Sequence, residues 1–302
     1  MNAFADGTDE TAYGSLAAWA YTGSDGVTVR GRRRDAAPGM PTVHWLHGNG
    51  FCGGVYWSFL RRLDPRLGLI THDIEGHGES DPARDFAGVP ATMTRIHGAL
   101  AQNAPPAPLI AMGHSFGAAL SLRAVIQNPE RFAALVLLDP IFLPPRYWLG
   151  TKLAAALGRH PFAAGARRRR SAWADADTAR ERLRGRGIYA GWCDEALDDF
   201  VRHATRDADD GRALACDPEL EAQIFENPLY PWRDLPRLPV PTFLYYGVGS
   251  YFFMAPSARR AARLQPQLEA EGTPGGHCFM LEHPDTAAAR VGGWLSRNVS
   301  GG

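Results

Sequence analysis

Gly113-His114-Ser115-Phe116-Gly117 sets one serine hydroxyl between two glycines, with a short apolar run, 108–112, before it and a stretch of small residues and helix formers, 118–126, after it. Strand, tight Gly-x-Ser-x-Gly turn and helix together make a nucleophile elbow. Its glycines admit backbone geometry that a side chain would forbid, and the serine projects above the sheet edge. A serine hydroxyl attacks a carbonyl only when a base takes its proton, and that base must be oriented by an acid. His277 in Gly275-Gly276-His277-Cys278-Phe279 suits the base, since the glycines make a tight turn and Pro284 opens the closing helix. His283, directly before Pro284, fits a helix-entry role better.

The acid should fall between serine and histidine in chain order. Tyr245-Tyr246-Gly247 is followed by Val248-Gly249-Ser250-Tyr251, and no carboxylate occurs between Asp234 and Glu269. The earlier run Val136-Leu137-Leu138 ends in Asp139-Pro140, a carboxylate at the carboxyl end of a strand. Asp139 is therefore the expected acid, with Glu75 as the fallback and a plain Asp-Pro turn as the bland alternative. A tetrahedral intermediate also needs donors for its oxyanion. The N–H of Phe116, just after the serine, is one. The second should come from the loop His47-Gly48-Asn49-Gly50, with Asn49 first choice and Gly50 and Phe51 next.

Positioning these groups requires strands that end at one edge. The runs 42–46, 67–72, 108–112 and 133–138 are compact and apolar, with helical stretches at 93–102 and 118–128 between them. Buried apolar strands alternating with helices indicate a mostly parallel sheet covered on both faces. Tyr13 to Tyr21 and Val27 to Arg32, joined by Thr22-Gly23-Ser24-Asp25-Gly26, read as a hairpin. The rhythm stops from 143 to 238, where arginine, alanine, aspartate and aromatics dominate and no strong buried strand occurs. It resumes with a strand at 241–246, a helix at 256–264, a weak strand at 265–271 and a closing helix at 284–297. The expected organisation is a core at 1–142 and 239–302 with a helical cap, 143–238, inserted between two strands. Arg167 to Arg170 lie in that insertion, as a solvated helix face or as an anion contact.

Composition narrows the classes. The 302 residues are 45% hydrophobic, enough for a sizeable core, and 32 basic side chains balance 32 acidic ones. Zero net charge points to no nucleic-acid, membrane or polyanionic partner. Lys152 is the sole lysine, an arginine bias read as codon usage. Cys52, Cys193, Cys216 and Cys278 are scattered without Cys-x-x-Cys spacing, so neither a disulfide framework nor a zinc site is expected. Met1 to Glu10 is acidic and polar, unlike a secretory signal, and no apolar run approaches a membrane span. These features predict a soluble cytoplasmic protein, monomer or homodimer, acting on a small molecule without metal or cofactor.

His47-Gly48-Asn49-Gly50, Asp73-x-x-Gly76-x-Gly78-x-Ser80, the Gly113-to-Gly117 elbow and Gly276-His277 together resemble the α/β-hydrolase fold superfamily, capped serine-hydrolase branch. The resemblance covers roughly 13–297 and implies a mainly parallel eight-stranded sheet with a lid over the site. Most members carry the acid where Ser250 stands; a subset places it where Asp139 stands. Ser115 in place of an aspartate nucleophile argues against dehalogenase and epoxide-hydrolase chemistry. The resemblance implies a serine hydrolase for a small or medium, largely apolar carboxylic ester. Thioester, lactone or C–C cleavage by the same triad, or a non-catalytic binding role, remains open. The aromatic side chains near the motifs, Phe51, Tyr56, Trp57, Phe116, Phe142, Phe252 and Phe253, suggest an apolar acyl pocket under the cap, with Phe51, Trp57, Phe142 and Phe252 as the expected pocket residues.

Overall fold

The computed structural model describes residues 13–106 and 108–299; the acidic segment Met1 to Glu10 lies outside the described residues. Each compact apolar run forms a strand: β1 (Ala17–Thr22), β2 (Thr28–Arg34), β3 (Thr42–Leu46), β4 (Gly68–His72), β5 (Leu109–His114) and β6 (Phe132–Leu138). After a long insertion carrying β7 (Ala172–Trp173), β8 (Thr205–Ala208) and β9 (Gly211–Leu214), the sheet resumes with β10 (Thr242–Gly247) and β11 (Leu268–Thr273). Eight strands form one sheet in the order β1-β2-β4-β3-β5-β6-β10-β11. Only the pairings of β2 with its two neighbours are antiparallel; the others are parallel.

Every residue of β3, β4 and β5 is buried, which explains why these strands read as continuous apolar runs without alternation. Alternate side chains still divide between the faces. Leu109 and Ala111 pack with residues of helices Val89–Asn103, Phe116–Gln127 and Met254–Leu264. Ile110 and Met112 pack on the other face with residues of helices Trp57–Leu60 and Pro284–Asn298. Burying a leucine, isoleucine or methionine such as Leu109, Ile110 or Met112 stabilises the fold by about 1.5–3 kcal/mol. The amino-terminal hairpin is tied down by Arg95, which pairs with Asp25 at 2.5 Å and with Glu75 at 2.8 Å.

The insertion is not purely helical. Alongside helices Pro145–Ala156, Pro161–Arg168, Ala176–Leu183, Asp194–His203 and Pro218–Glu226, it holds a three-stranded antiparallel sheet in the order β7-β9-β8. These strands span two to four residues and are mostly not buried, so they leave no apolar run in the sequence. Their one local sign is Asp209-Asp210-Gly211, whose first two residues close the β8–β9 hairpin.

Candidate active site

Ser115 adopts φ 54° and ψ −115° between β5 and its helix, a conformation that costs an ordinary residue of order 1–3 kcal/mol. The flanking glycines make the turn feasible. A Cβ on Gly117 would lie 2.2 Å from the Leu46 carbonyl oxygen, and one on Gly113 would lie 2.6 Å from the backbone of Gly117. The Leu138 carbonyl accepts from the Ser115 N–H at 3.0 Å, fastening the elbow to the end of β6.

His277 spans the gap between Ser115 and Asp139. Its Nε2 is 3.0 Å from Ser115 Oγ, and its Nδ1 is 2.7 Å from Asp139 Oδ1. A carboxylate oxygen accepts, so Nδ1 carries the proton and donates to Asp139, leaving Nε2 free to accept from the serine hydroxyl. Asp139 is fully buried at φ 41°, and two further donors hold its carboxylate: Gly247 N–H to Oδ2 at 2.8 Å and Ser250 O–H to Oδ1 at 2.6 Å. Ser250 thus faces the carboxylate of β6 from the end of β10. Glu75 lies apart, accepting from Thr92 Oγ1 at 2.6 Å and paired with Arg95, with no contact to the imidazole.

Three further histidines frame the site, and all are held neutral. Burial pushes His47, His77 and His114 well below the usual imidazole range, with the nearby His277 ring adding to the effect on His114. His114 Nε2–H donates to the backbone carbonyl of His277 at 2.9 Å, so its Nδ1 accepts from Tyr56 O–H at 2.7 Å; the Tyr56 oxygen in turn accepts from Gly48 N–H at 3.1 Å. One chain of bonds therefore links the Gly48 loop, the elbow and the His277 loop. His77 Nε2 accepts from Gly50 N–H at 3.1 Å, and the Phe51 N–H donates to Gly48 O at 3.2 Å. Gly50 and Phe51 have therefore committed their N–H groups. Asn49 and Phe116, by contrast, donate theirs to no protein acceptor among the described residues, and both border the cavity above Ser115.

That cavity has a volume of about 70 Å³ and is walled mainly by Ile141, Leu143, Phe162, Ile224, Phe225, Leu229 and Phe253, with Thr151, His160 and Tyr251 supplying polar atoms. The Tyr251 ring lies 5.0 Å from that of His277. The insertion contributes most of the wall and also grips the loop below. Asn49 Nδ2 donates to the Glu221 carbonyl at 2.9 Å, while the Glu221 carboxylate takes Arg169 at 2.6 Å. Arg169 also donates to Tyr189 Oη at 2.6 Å, and Arg167 is shared between Glu219 and Glu226. Arg170 Nε donates to the Ala172 carbonyl at 3.0 Å, so three of the four consecutive arginines are engaged within the insertion.

The four expected pocket aromatics require correction, because none of them borders this cavity. Phe142 is fully buried against Trp232, while its neighbours Ile141 and Leu143 face the cavity. Phe252 is 73% exposed, and its neighbour Phe253 takes the wall. Consecutive side chains point to different sides, so Phe142 misses by one residue, whereas Phe253 and Phe116, read among the same aromatics near the motifs, do border the cavity. Phe51 packs into the core beneath the loop, against Tyr56, Trp192 and Phe200, and Trp57 is buried near Tyr13. The hydrogen bond between Tyr56 and His114 went unread, as did Thr151, His160 and Tyr251 as cavity residues. A wider hollow near Arg33, Met40 and Asn103, at the amino-terminal ends of the strands, is lined by no serine or histidine.

A family model described as the alpha/beta hydrolase family matches residues 45–290. Lipase LipV of Mycobacterium tuberculosis is 31% identical over 149 residues, 48% of this chain and 56% of that protein. Monoglyceride lipase of Rattus norvegicus is 31% identical over 104 residues, 32% of this chain and 34% of the lipase. The matched stretches thus span about half and a third of these relatives. The crystal structure of E-2-(acetamidomethylene)succinate hydrolase superposes with a TM-score of 0.75 at 20% identity, covering 93% of this chain and 99% of that one.

Proposed function

From the premise that this chain belongs to the alpha/beta hydrolase family, we propose that it is a serine hydrolase of apolar carboxylic esters, with the insertion serving as its cap. The observation that carries the reading is the unbroken line Ser115 Oγ, His277 Nε2, His277 Nδ1, Asp139 Oδ1, with steps of 3.0 and 2.7 Å, at the base of an apolar cavity. Partial likeness to a lipase and a monoglyceride lipase supports an ester of an apolar acid over a charged substrate.

In this mechanism His277 Nε2 takes the hydroxyl proton as Ser115 Oγ adds to the ester carbonyl. The N–H groups of Phe116 and Asn49 receive the oxyanion, each such donor contributing about 10²- to 10³-fold to turnover. His277 then protonates the departing alkoxide, leaving an acyl group on Ser115. Water, deprotonated by the same imidazole, attacks the acyl-enzyme and releases the carboxylic acid and the free serine. Asp139 holds the imidazole tautomer throughout, and His114 fixes the backbone that carries it.

Ser115→Ala should lower turnover of p-nitrophenyl butyrate by about 10⁴- to 10⁶-fold with little change in KM. Labelling of Ser115 by a fluorophosphonate probe separates catalysis from mere ligand binding, since only an activated serine reacts. An unchanged rate in the alanine variant would remove Ser115 from the mechanism.

A further inference from the structure

Nine large apolar side chains are exposed among the described residues, and five of them fall within 147–162. Leu149, Leu153 and Leu157 are 65, 61 and 62% exposed, at the four-residue spacing that aligns side chains along one helix face. Helix Pro145–Ala156, which carries the first two, has no buried residue. At about 100° per residue, Leu149 and Leu153 stand roughly opposite Thr151, the helix residue that borders the cavity. The same helix therefore turns its Thr151 side inward and a ridge of leucines outward. The apolar surface continues around the cavity mouth: Tyr147 meets exposed Phe252 at 5.3 Å, and half-exposed Phe162 meets Tyr251 at 5.7 Å.

Charge identifies what such a face fits. From 143 to 174 the chain carries seven basic side chains and no acidic one, although the whole sequence is neutral. Exposed Arg146, Arg159 and Arg168 form no ion pair among the described residues. An apolar ridge flanked by unpaired arginines matches an interfacial helix on an anionic lipid surface. A second copy of this chain is a poorer occupant, because packing the ridge on itself would bring these cations together. The zero total charge, which points away from a membrane partner, averages over this local asymmetry.

We propose that the face formed by Leu149, Leu153, Leu157 and the surrounding arginines docks on anionic phospholipid bilayers, with the cavity mouth turned toward the lipid. This goes beyond the hydrolysis proposed above and does not require it. Sedimentation of the full chain with phosphatidylcholine vesicles containing about 30% phosphatidylglycerol, and with pure phosphatidylcholine, tests it. Wild type should bind the anionic vesicles at least about tenfold more, an excess that shrinks as salt is raised. Leu149→Ser/Leu153→Ser/Leu157→Ser should lose that binding while its turnover of soluble p-nitrophenyl butyrate is kept. Arg146→Glu/Arg159→Glu should lose the preference for anionic over neutral vesicles. Binding by Ser115→Ala should equal that of wild type, so a failed catalytic reading leaves this test intact. Wild type remaining in the supernatant with both vesicles overturns the proposal, as does a leucine variant that sediments like wild type. A wild-type dimer that becomes a monomer in the leucine variant assigns the ridge to a second copy and equally overturns it.

Discussion

Asp139 gathers three donors, from His277, Ser250 and Gly247, onto a carboxylate with no solvent exposure. Glu75, in the turn after β4, spends its contacts on Thr92 and Arg95. The two substitutions should therefore separate cleanly. Asp139→Asn presents an amide to the imidazole and favours the wrong tautomer, so kcat for p-nitrophenyl butyrate should fall about 10³- to 10⁴-fold. Glu75→Gln should keep kcat near wild type but lower the denaturation midpoint, because it weakens a buried ion pair worth about 3–5 kcal/mol to break. Loss of activity in the glutamine variant with the asparagine variant still active would transfer the orienting role to Glu75.

The elbow depends on contact between elements, here the helix after Ser115 and the end of β3. Gly117 sits where its missing side chain lets the helix backbone rest on the carbonyls of Leu46 and His47. Gly117→Ala forces a Cβ to within 2.2 Å of Leu46 O and should cost about 1–3 kcal/mol or more, read as a drop in the urea midpoint. Gly292, in helix Pro284–Asn298, meets nothing within 4 Å of an added Cβ. Gly292→Ala should stabilise by about 0.5–1 kcal/mol through helix propensity alone. Equal effects at both sites would mean that close packing of helix on β3 does not shape the elbow.

Across the whole molecule, the insertion and the core meet at a buried acid. Asp199, on insertion helix Asp194–His203, accepts from the Ser58 N–H at 3.0 Å, and burial pushes its carboxyl up to about 7. An acid raised in the folded state is protonated there over a range in which the unfolded chain has already ionised. Its contribution to stability is therefore fully present below about pH 4, declines as pH rises and is gone above about pH 7. Asp199→Asn keeps an acceptor for Ser58 and cannot ionise. The wild-type melting temperature should accordingly fall, relative to this variant, between about pH 4 and pH 7, by the equivalent of ~1–4 kcal/mol. Parallel curves for the two proteins would show that Asp199 ionises as freely in the fold as outside it.

Local chemistry in the chain carries much of this protein. Continuous apolar runs flanked by helices specify a parallel sheet, because strands buried on both faces cannot alternate with polar residues. Gly113, Ser115 and Gly117 specify the elbow, since only glycine tolerates the approaches made there. The missing carboxylate between Asp234 and Glu269 directs attention to Asp139. What the linear order leaves open is direction. Whether Ile141 or Phe142, or Phe252 or Phe253, faces the cavity is a matter of backbone rotation by one residue, and packing against Trp232 and the insertion decides it. The Tyr56–His114 link and the Asn49–Glu221 contact join residues 58 and 172 positions apart, and folding alone brings such partners within 3 Å.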